Sequence, residues 1–335
     1  MTASRTKRRP LVVLAVDALT MAERAAPSPF VPGHEREIAA SLTRLSYRWT
    51  SLVVDDLTGL EPKLREARPD VVFNLTEGVR GARRFDATVA DLIEAAGFRQ
   101  TGSTGSALRL CRDKGHSKAV LAHAGLTVPR FAAVRDGRAD WAAIERTVPL
   151  PVIVKPLELD GSDLLGSHSL CRSWSRAREQ ARRLWEVERE PVIIEEVVRG
   201  RELAVPVTRF GSTRAWRPRE LRVPPRHRGL PIATGAVKDR VAASTPQPRF
   251  VTSTRALGFW ATALEAAEIA ADVLDVGSYA RVDMIVRPDG VPVILEVNPN
   301  SCLLPQAFCL RRPAGLAAYD RLIDDIVKHA VVPRC

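Results

Sequence analysis

Residues 281–298, RVDMIVRPDGVPVILEVN, constrain the fold of this 335-residue chain more than any other stretch. In the first half, Val282, Met284 and Val286 alternate with other side chains, and 291–297 is a second apolar run, so both halves predict strands. The sequence Pro288-Asp289-Gly290 between them is typical of a turn. The stretch therefore predicts a β-hairpin built into an apolar core.

Two carboxylates interrupt this apolar hairpin. Asp283 lies in the first strand, and Glu296 lies in the second, two residues before Asn298. Because side chains two residues apart share a face of a strand, Glu296 and Asn298 project together, and antiparallel pairing brings Asp283 to the same patch. Buried carboxylates are costly without a positive partner, and hard oxygen ligands are those that Mg²⁺ prefers. We predict a magnesium site here rather than a solvated hairpin with outward-facing acids.

Length and composition place the chain in a broad class. A hydrophobic content of 45% over 335 residues is enough for more than one packed domain. No apolar run approaches the roughly 20 residues of a membrane span. The basic start followed by LVVLAVD resembles a secretory signal, but Asp17 interrupts the apolar run, which favours a core strand. Five cysteines without a CxxC pair favour reduced thiols and a cytoplasmic location.

The net charge of +11 raises the alternative of a nucleic-acid-binding protein. The arginines are scattered through helices and loops, and aromatic residues make up only 5% of the chain, so platforms for base stacking are scarce. We therefore expect an Arg-rich surface without a nucleic-acid partner. A site for nucleotide phosphates would need only a few of these charges.

The first third of the chain alternates between apolar strands and helical segments. The predicted strands are 11–16, 51–55 and 71–75, and the predicted helices are 34–47, 61–67 and 86–96. Such alternation favours a parallel sheet, in which ligands sit at the carboxyl ends of strands. Glu35, Glu77 and Arg80 follow strands and are candidates to line a site, with ordinary loop solvation as an equal alternative.

The rest of the chain continues with helices and strands. The predicted helices are 114–123 (capped by Asp113 and ended by Gly125), 140–146, 172–187, 260–273 and 317–330; the predicted strands are 128–131, 150–156, 191–198 and 203–207, with a turn at 199–202. Residues 214–255 are rich in Arg and Pro and lack periodicity, which predicts a long loop over the site.

Strand 150–156 ends in Lys155 and is followed by LELDGSDLLGSHSL, a loop rich in Gly and Ser. Backbone N–H groups and an ammonium suit a polyphosphate. Many strands end in lysine before a turn, and the chain has no GxxxxGK[ST] motif, so this is not a Walker loop. The segment is a candidate phosphate cradle.

Six segments in order carry a resemblance to a known family: HEREIAASL (34–42), VVFNLTEG (71–78), DKGHSKAVLAHAGLTVPRF (113–131), LPVIVKP (150–156), VIIEEVVRGRE (192–202) and RVDMIV…VILEVNPN (281–300). Together they resemble the ATP-grasp superfamily, most closely the D-alanine–D-alanine ligase group, over nearly the whole chain. The resemblance implies an α/β (α+β) ATP-grasp fold. It has an N-terminal parallel-sheet domain (1–109) and two α+β domains (110–197 and 198–335) that clamp ATP.

The resemblance also assigns roles in binding ATP by matched position. Lys114 and Lys155 match the lysines that contact the phosphates, and Ser162 lies in the loop over them and is placed among the catalytic residues. Glu195 matches the residue that pairs with the adenine amino group. The other matched cofactor-binding positions are Glu196, Val198 at the hinge through its backbone, and Glu202 on the ribose.

For the chemistry, the resemblance assigns Asp283, Glu296 and Asn298 to two magnesium ions, for which Mn²⁺ can stand in. Arg281 matches the arginine that stabilises the oxyanion of the tetrahedral intermediate, and Glu35 matches the acid that holds the first substrate's amino group. The implied activity is an ATP-dependent carboxylate–amine ligase. It forms an amide between small molecules, such as amino acids, through an acyl phosphate. A non-catalytic nucleotide- or anion-binding protein and a dedicated D-alanine–D-alanine ligase are the alternatives, and relatives suggest a homodimer.

The chain departs from the family pattern where the substrates would bind. The segment after the third strand is NLTEG, with Glu77 where the ligases usually have a histidine-containing segment, and the metal ligands are followed by Pro299-Asn300-Ser301-Cys302 instead of a small-residue turn. No histidine shares a segment with Cys302, which predicts a bystander thiol. These departures favour a ligase for other amino acids over a dedicated D-alanine–D-alanine ligase.

Overall fold

The computed structural model describes residues 9–17, 34–159, 166–222, 249–308, 310 and 316–332. The predicted site residue Ser162 and the middle of the predicted loop 214–255 lie outside the described residues. Among the described residues, no helix is both long and apolar enough to cross a membrane.

The described strands are β1 Leu11–Asp17, β2 Arg48–Val54, β3 Val71–Asn74, β4 Phe131–Val134, β5 Val152–Pro156, β6 Leu170–Cys171, β7 Val192–Glu196, β8 Arg201–Phe210, β9 Ser212–Ala215, β10 Arg219–Arg222, β11 Arg249–Thr252, β12 Tyr279–Val286 and β13 Pro292–Pro299. The described α-helices are α1 His34–Arg44, α2 Leu60–Ala67, α3 Asp86–Ala95, α4 Gly105–Arg112, α5 Lys114–His123, α6 Trp141–Thr147, α7 Trp174–Glu186, α8 Ala261–Val273 and α9 Leu316–Val331.

The first sheet is parallel, with strand order β2-β1-β3. Its central strand β1 is buried on both faces, which explains the unbroken apolar run LVVLAV. One face packs against α9 through Tyr319 and Ile326, and the other packs against α2 and α3 through Leu64 and Ile93. The predicted parallel sheet with helices on its faces is confirmed. Helix α9, near the end of the chain, covers this sheet, which is formed by the first three strands.

The second sheet is antiparallel, with strand order β4-β7-β5-β6. Helices α6 and α7 cover one face and pack Ile144, Ala177 and Leu184 against Val154 and neighbouring strand residues. The side chains of Asp140 and Ser173 cap these helices by accepting hydrogen bonds from the backbone of the first turn.

The third sheet is also antiparallel. Its strand order is β11-β10-β8-β12-β13, and β9 pairs with β8. Helix α8 lies on it through Ala267, Ala270 and Ala271, whose small side chains allow close packing. Leu121 of α5 joins the same core, so α5 packs against the third sheet although it precedes the second sheet in the chain.

Several boundaries differ from the sequence predictions. Residues 214–255 are not loop throughout, because β10 and β11 pair with each other at its two ends. Buried Glu220, held by Arg201 and Arg222, conceals the strand pattern of β10. Strand β8 begins at Arg201, within the predicted turn 199–202, and β4 begins only at Phe131. Helix α4 was not predicted, although the side chain of Thr104 caps it.

Candidate active site

The hairpin 279–299 brings the three predicted metal ligands together. Strands β12 and β13 pair antiparallel, with Asp283 opposite Glu296 and Arg281 opposite Asn298. The Asn298 side-chain amide donates to Asp283 Oδ2 at 3.1 Å and to Glu296 Oε1 at 3.4 Å. The hairpin and the convergence of the three side chains are confirmed.

A β-bulge lies directly before Glu296. Asp283 is opposite Glu296, but the next pair is Met284 with Ile294, so Leu295 is an extra residue on β13. A bulge bends its strand and redirects the side chains beside it, and bulges are common next to active sites. Here the bulge sets the direction in which the Glu296 carboxylate projects.

Arg281 is the positive partner of this acidic patch. Its Nε and Nη2 donate to Asp283 Oδ1 and Oδ2, each at 2.7 Å. This is the bidentate geometry in which a guanidinium binds a carboxylate most strongly. Burial lowers the pKa of Arg281, but the charge and hydrogen bonds of Asp283 raise it by a larger amount. The pKa of Arg281 therefore lies above its ordinary value. Arg281 is therefore a fixed cation within the site.

The residues present fit a magnesium ion bound together with phosphate. The described part of the chain has no group of three or more His, Cys, Asp or Glu that could hold a metal. Mg²⁺ is commonly held by one or two carboxylates plus substrate phosphates and water, which two carboxylates can satisfy. The oxygen and nitrogen of the Asn298 amide are exchanged by a simple flip, which would turn its oxygen toward the carboxylates.

Glu195 on β7, an inner strand of the second sheet, binds two lysines. Its Oε2 lies 2.8 Å from Lys155 Nζ, and its Oε1 lies 2.8 Å from Lys118 Nζ. Burial raises the pKa of Glu195, but the two ammonium groups lower it to about 2. Burial lowers the pKa of Lys118 more than the charge of Glu195 raises it. Since both carboxylate oxygens bind lysines, the predicted contact of Glu195 with adenine stays a prediction.

Lys118 is a residue that the sequence reasoning missed. It lies one helical turn after Lys114, within DKGHSK, and only 1% of its side chain is exposed. Lys118 shares the buried face of α5 with Ser117 and Leu121. A lysine on the core-facing side of a helix is rare without a partner, and this position could have indicated a buried cation.

Lys155 lies close to the hairpin as well as to Glu195. Burial lowers its pKa, but the charges of Glu195, Glu296 and Glu202 raise it, with a net increase. Glu202 lies on β8, opposite Ile285 of the hairpin. The lysine predicted to bind phosphate, the ribose candidate and a predicted metal ligand therefore share one region.

The remaining predicted ATP contacts lie around this region. Lys114 Nζ donates to the backbone carbonyls of Leu157 and Leu159, so its ammonium lies at the start of the Gly/Ser loop. The carboxylate of Glu196 accepts from the backbone N–H of Arg130 at 2.9 Å. Val198 lies in the short connection from β7 to β8, between the second and third sheets.

A second cluster forms where β13 ends. Glu35 is buried in the first turn of α1, and its Oε1 lies 3.6 Å from Nε2 of His34. The backbone N–H of Leu303 donates to His34 Nδ1 at 3.4 Å, and the exposed Cys302 thiol hydrogen-bonds to His34. Cys302 therefore has a histidine partner after all, because the fold brings α1 to the turn after β13.

The electrostatics of this cluster follow from the same contacts. Desolvation raises the pKa of Cys302, but the hydrogen bond and charge of His34, together with Arg281, bring it below its usual value. Burial lowers the pKa of His34, yet Cys302, Glu35 and Glu77 raise it overall. Glu77 thus lies near the cluster.

The turn 299–302 is held in place by the loop before α4. Asn300 has φ 51°, a left-handed conformation that Asn tolerates, and its side chain accepts from the Ser103 backbone N–H at 2.7 Å. Of the three candidates at strand ends, Arg80 has a partner in the first sheet: its guanidinium donates to the backbone carbonyl of Asp55, directly after β2.

Comparison with known proteins identifies the family of this site. A family model described as D-ala D-ala ligase C-terminus matches residues 120–328. The chain belongs to this family. It is an ATP-grasp ligase that uses ATP to form a carbon–nitrogen bond.

Relatives with this name are similar to the chain along most of its length. The chain is 30% identical to a D-alanine–D-alanine ligase of Frankia casuarinae, over 78% of the chain and 66% of that enzyme. A D-alanine–D-alanine ligase of an Anaeromyxobacter species is 29% identical, over 84% of the chain and 86% of the enzyme. The protein y4sG of Sinorhizobium fredii, described as uncharacterised, is 27% identical.

Solved structures support the same fold. A Bacillus anthracis D-alanine–D-alanine ligase complexed with ATP superposes with a TM-score of 0.72 at 17% identity, covering 96% of this chain and 97% of that one. The predicted ATP-grasp fold is confirmed.

Proposed function

We propose that this ligase joins two amino acids, or small molecules like them, through an acyl phosphate. Lys155 carries the proposal, because this cation is paired with Glu195 and its pKa is raised by the charge of Glu296 on the hairpin. A phosphate group placed there would contact an ammonium on one side and the magnesium ligands on the other.

ATP would lie between the second and third sheets. Lys155 and Lys114 come from different elements, one from the end of β5 and the other from the first turn of α5, so they would hold the phosphates from two directions. Glu202 on β8 would face the ribose. Ser162 stays part of the proposal as the residue over the phosphates.

Asp283, Glu296 and Asn298 would hold Mg²⁺, with Mn²⁺ as a substitute. When bound, the metal neutralises charge on the phosphates and polarises the transferring group. The chain's own contribution is the rigidity of the hairpin, whose ladder pairs Asp283 with Glu296 and keeps the acids together.

In the first step, an oxygen of the substrate carboxylate attacks the γ-phosphorus, and the bond from that phosphorus to the ADP oxygen breaks. In the second step, the amine attacks the acyl carbon. Arg281, held by Asp283, stabilises the negative charge that develops on the carbonyl oxygen, and phosphate leaves with the two electrons of its bond. The products are an amide, ADP and phosphate.

The substrates would lie at the other end of the hairpin. Glu35 is a buried carboxylate beside the turn after β13, which suits an ammonium group of the first substrate. The relatives' names make D-alanine the first substrate to test. Cys302, where the family has a small residue, favours a different acceptor. A cytoplasmic enzyme is part of the proposal, supported by free cysteines and the use of ATP.

The proposal is tested by measuring phosphate release from ATP and Mg²⁺ with pairs of amino acids, D-alanine included, and by identifying the products by mass spectrometry. We expect release that needs an amino acid and yields an amide. Asp283→Asn combined with Glu296→Gln should abolish it. ATP binding without release for any pair would instead favour a non-catalytic nucleotide-binding protein.

A further inference from the structure

Lys118 is a buried cation that no step of the proposed reaction uses. Only 1% of its side chain is exposed, on helix α5. Removing an ammonium from water costs several kcal/mol even after relaxation, so a chain keeps one in its core only when specific partners hold it. Lys118 has two such partners, and they belong to different sheets.

The first partner is the bulge on β13. Lys118 Nζ donates to the backbone carbonyl of Leu295, the extra residue of the bulge. Because a bulge disrupts the ladder, its backbone groups need partners elsewhere. Lys118 supplies one, and so fixes the bend that aims Glu296.

The second partner is Glu195 on β7, in the other antiparallel sheet. One oxygen of Glu195 binds Lys118 and the other binds Lys155, each at 2.8 Å. Without Lys118, one oxygen of a carboxylate only 3% exposed would lose its ion pair. The carboxylate would then be free to turn, and the ammonium of Lys155 would lose its fixed position.

We infer that Lys118 is a positioning residue for ATP: through Glu195 it places the Lys155 ammonium, and through the Leu295 carbonyl it fixes the strand that carries Glu296. The inference rests on the proposed function, because Lys155 and Glu296 must serve the phosphates and the metal. Lys118 acts through its contacts with Glu195 and Leu295.

A purely structural role would affect the molecule differently. A cation that only stabilises the core would lower stability and weaken every ligand alike. A positioning role predicts that phosphate-bearing ligands lose affinity while adenosine does not. It also predicts that the effect becomes smaller once Lys155 is gone, because the route through Glu195 is then lost and residues acting through one another are not additive.

The test measures binding of ATP and adenosine by calorimetry in saturating Mg²⁺. The proteins are the unmodified chain, Lys118→Met, Lys155→Met and the double variant. Lys328→Met is the matched control, because Lys328 is an exposed lysine that pairs with Asp324 on α9. We expect Lys118→Met to weaken ATP about 10- to 100-fold, the loss expected for a charged hydrogen bond, with adenosine unchanged. In the Lys155→Met background, Lys118→Met should weaken ATP by a smaller factor than in the unmodified chain, because only the route through the Leu295 carbonyl remains.

Thermal unfolding of each variant shows whether it is folded, and Lys118→Gln, which keeps a donor for Leu295, replaces the methionine if that variant does not fold. Equal weakening of ATP and adenosine, or full additivity with Lys155→Met, would overturn the inference and leave the proposed function intact. Failure of the unmodified chain to bind ATP would overturn the proposed function itself.

Discussion

The two ends of the active site are built differently. At the nucleotide end, Glu195, Lys155 and Lys118 lie on regular elements, largely buried, with ion pairs of 2.8 Å. At the substrate end, Glu35 and Cys302 meet through His34 at the start of a helix and in an irregular turn, with contacts of 3.4–3.6 Å and an exposed thiol. Handling of ATP thus depends on sheets, whereas substrate choice depends on segments that can change without disturbing the core.

The largest effect is expected at Arg281, where the two ends meet. Arg281→Met removes the cation that stabilises the oxyanion, and loss of one such donor lowers turnover about 100- to 1,000-fold. Phosphate release from ATP with the amino-acid pair measures it, and ATP affinity should change little. Arg287→Met is the control, because Arg287 pairs with Asp289 two residues on in the same hairpin, at the exposed turn. An equal loss of turnover in the two variants would contradict a role for Arg281 in stabilising the oxyanion.

A smaller effect is expected for Glu35→Gln. The variant keeps the shape of the side chain but loses the charge that would hold an ammonium, so the KM of the first amino acid should rise about 10- to 100-fold. The KM for ATP should stay the same, since Glu35 lies at the substrate end. Glu37→Gln, on the same helix, serves as the control. A rise in the KM for ATP instead would contradict the division between the two ends.

The nucleotide end also predicts how stability depends on pH. Glu195 has a pKa of about 2 in the folded chain, against an ordinary value of 4.5. It therefore contributes stability that is fully present above pH 4.5 and is lost as the pH falls toward 2. Denaturant unfolding of the unmodified chain should show a falling free energy of unfolding across this window. Glu195→Gln should make the free energy of unfolding depend less on pH in this window. An identical pH dependence in both proteins would mean that Glu195 is not held by the two lysines.

The smallest effect concerns Cys302. Because His34 helps to lower its pKa, the thiol should be alkylated by iodoacetamide at lower pH than an ordinary thiol. The buried Cys111 and Cys171 should react much more slowly. His34→Gln should shift the pH profile of Cys302 upward and reduce its rate at neutral pH severalfold. A rate that His34→Gln does not change would show that the two side chains act independently.

The same contrast explains what could be predicted from the sequence. The hairpin and the convergence of Asp283, Glu296 and Asn298 follow from strand periodicity and turn residues, which are local. Lys155 was found for the same reason, at the end of a strand. Two contacts could not be found in this way: Lys118 with Leu295, and His34 with Cys302. Each joins distant segments, and the bulge that exposes the Leu295 carbonyl leaves no periodic signal.

The strands β10 and β11 were missed for a related reason. Each has four residues, too short for alternation to show, and they pair across the 223–248 segment. Glu220 in β10 is buried by its pairing with Arg201, which no local pattern predicts. Short strands rich in charge are therefore visible only once their partners are known.

Transfer of oxygen from the substrate carboxylate to phosphate tests most directly whether this site makes an acyl phosphate. The enzyme would be incubated with ATP, Mg²⁺ and a mixture of amino acids whose carboxylates carry ¹⁸O, and the released phosphate would be analysed by mass spectrometry. We expect each phosphate to carry a single ¹⁸O atom, because the oxygen that attacks the γ-phosphorus leaves with it. Phosphate released without the label would come from water, and would contradict a ligase built around Arg281 and the acids of the hairpin.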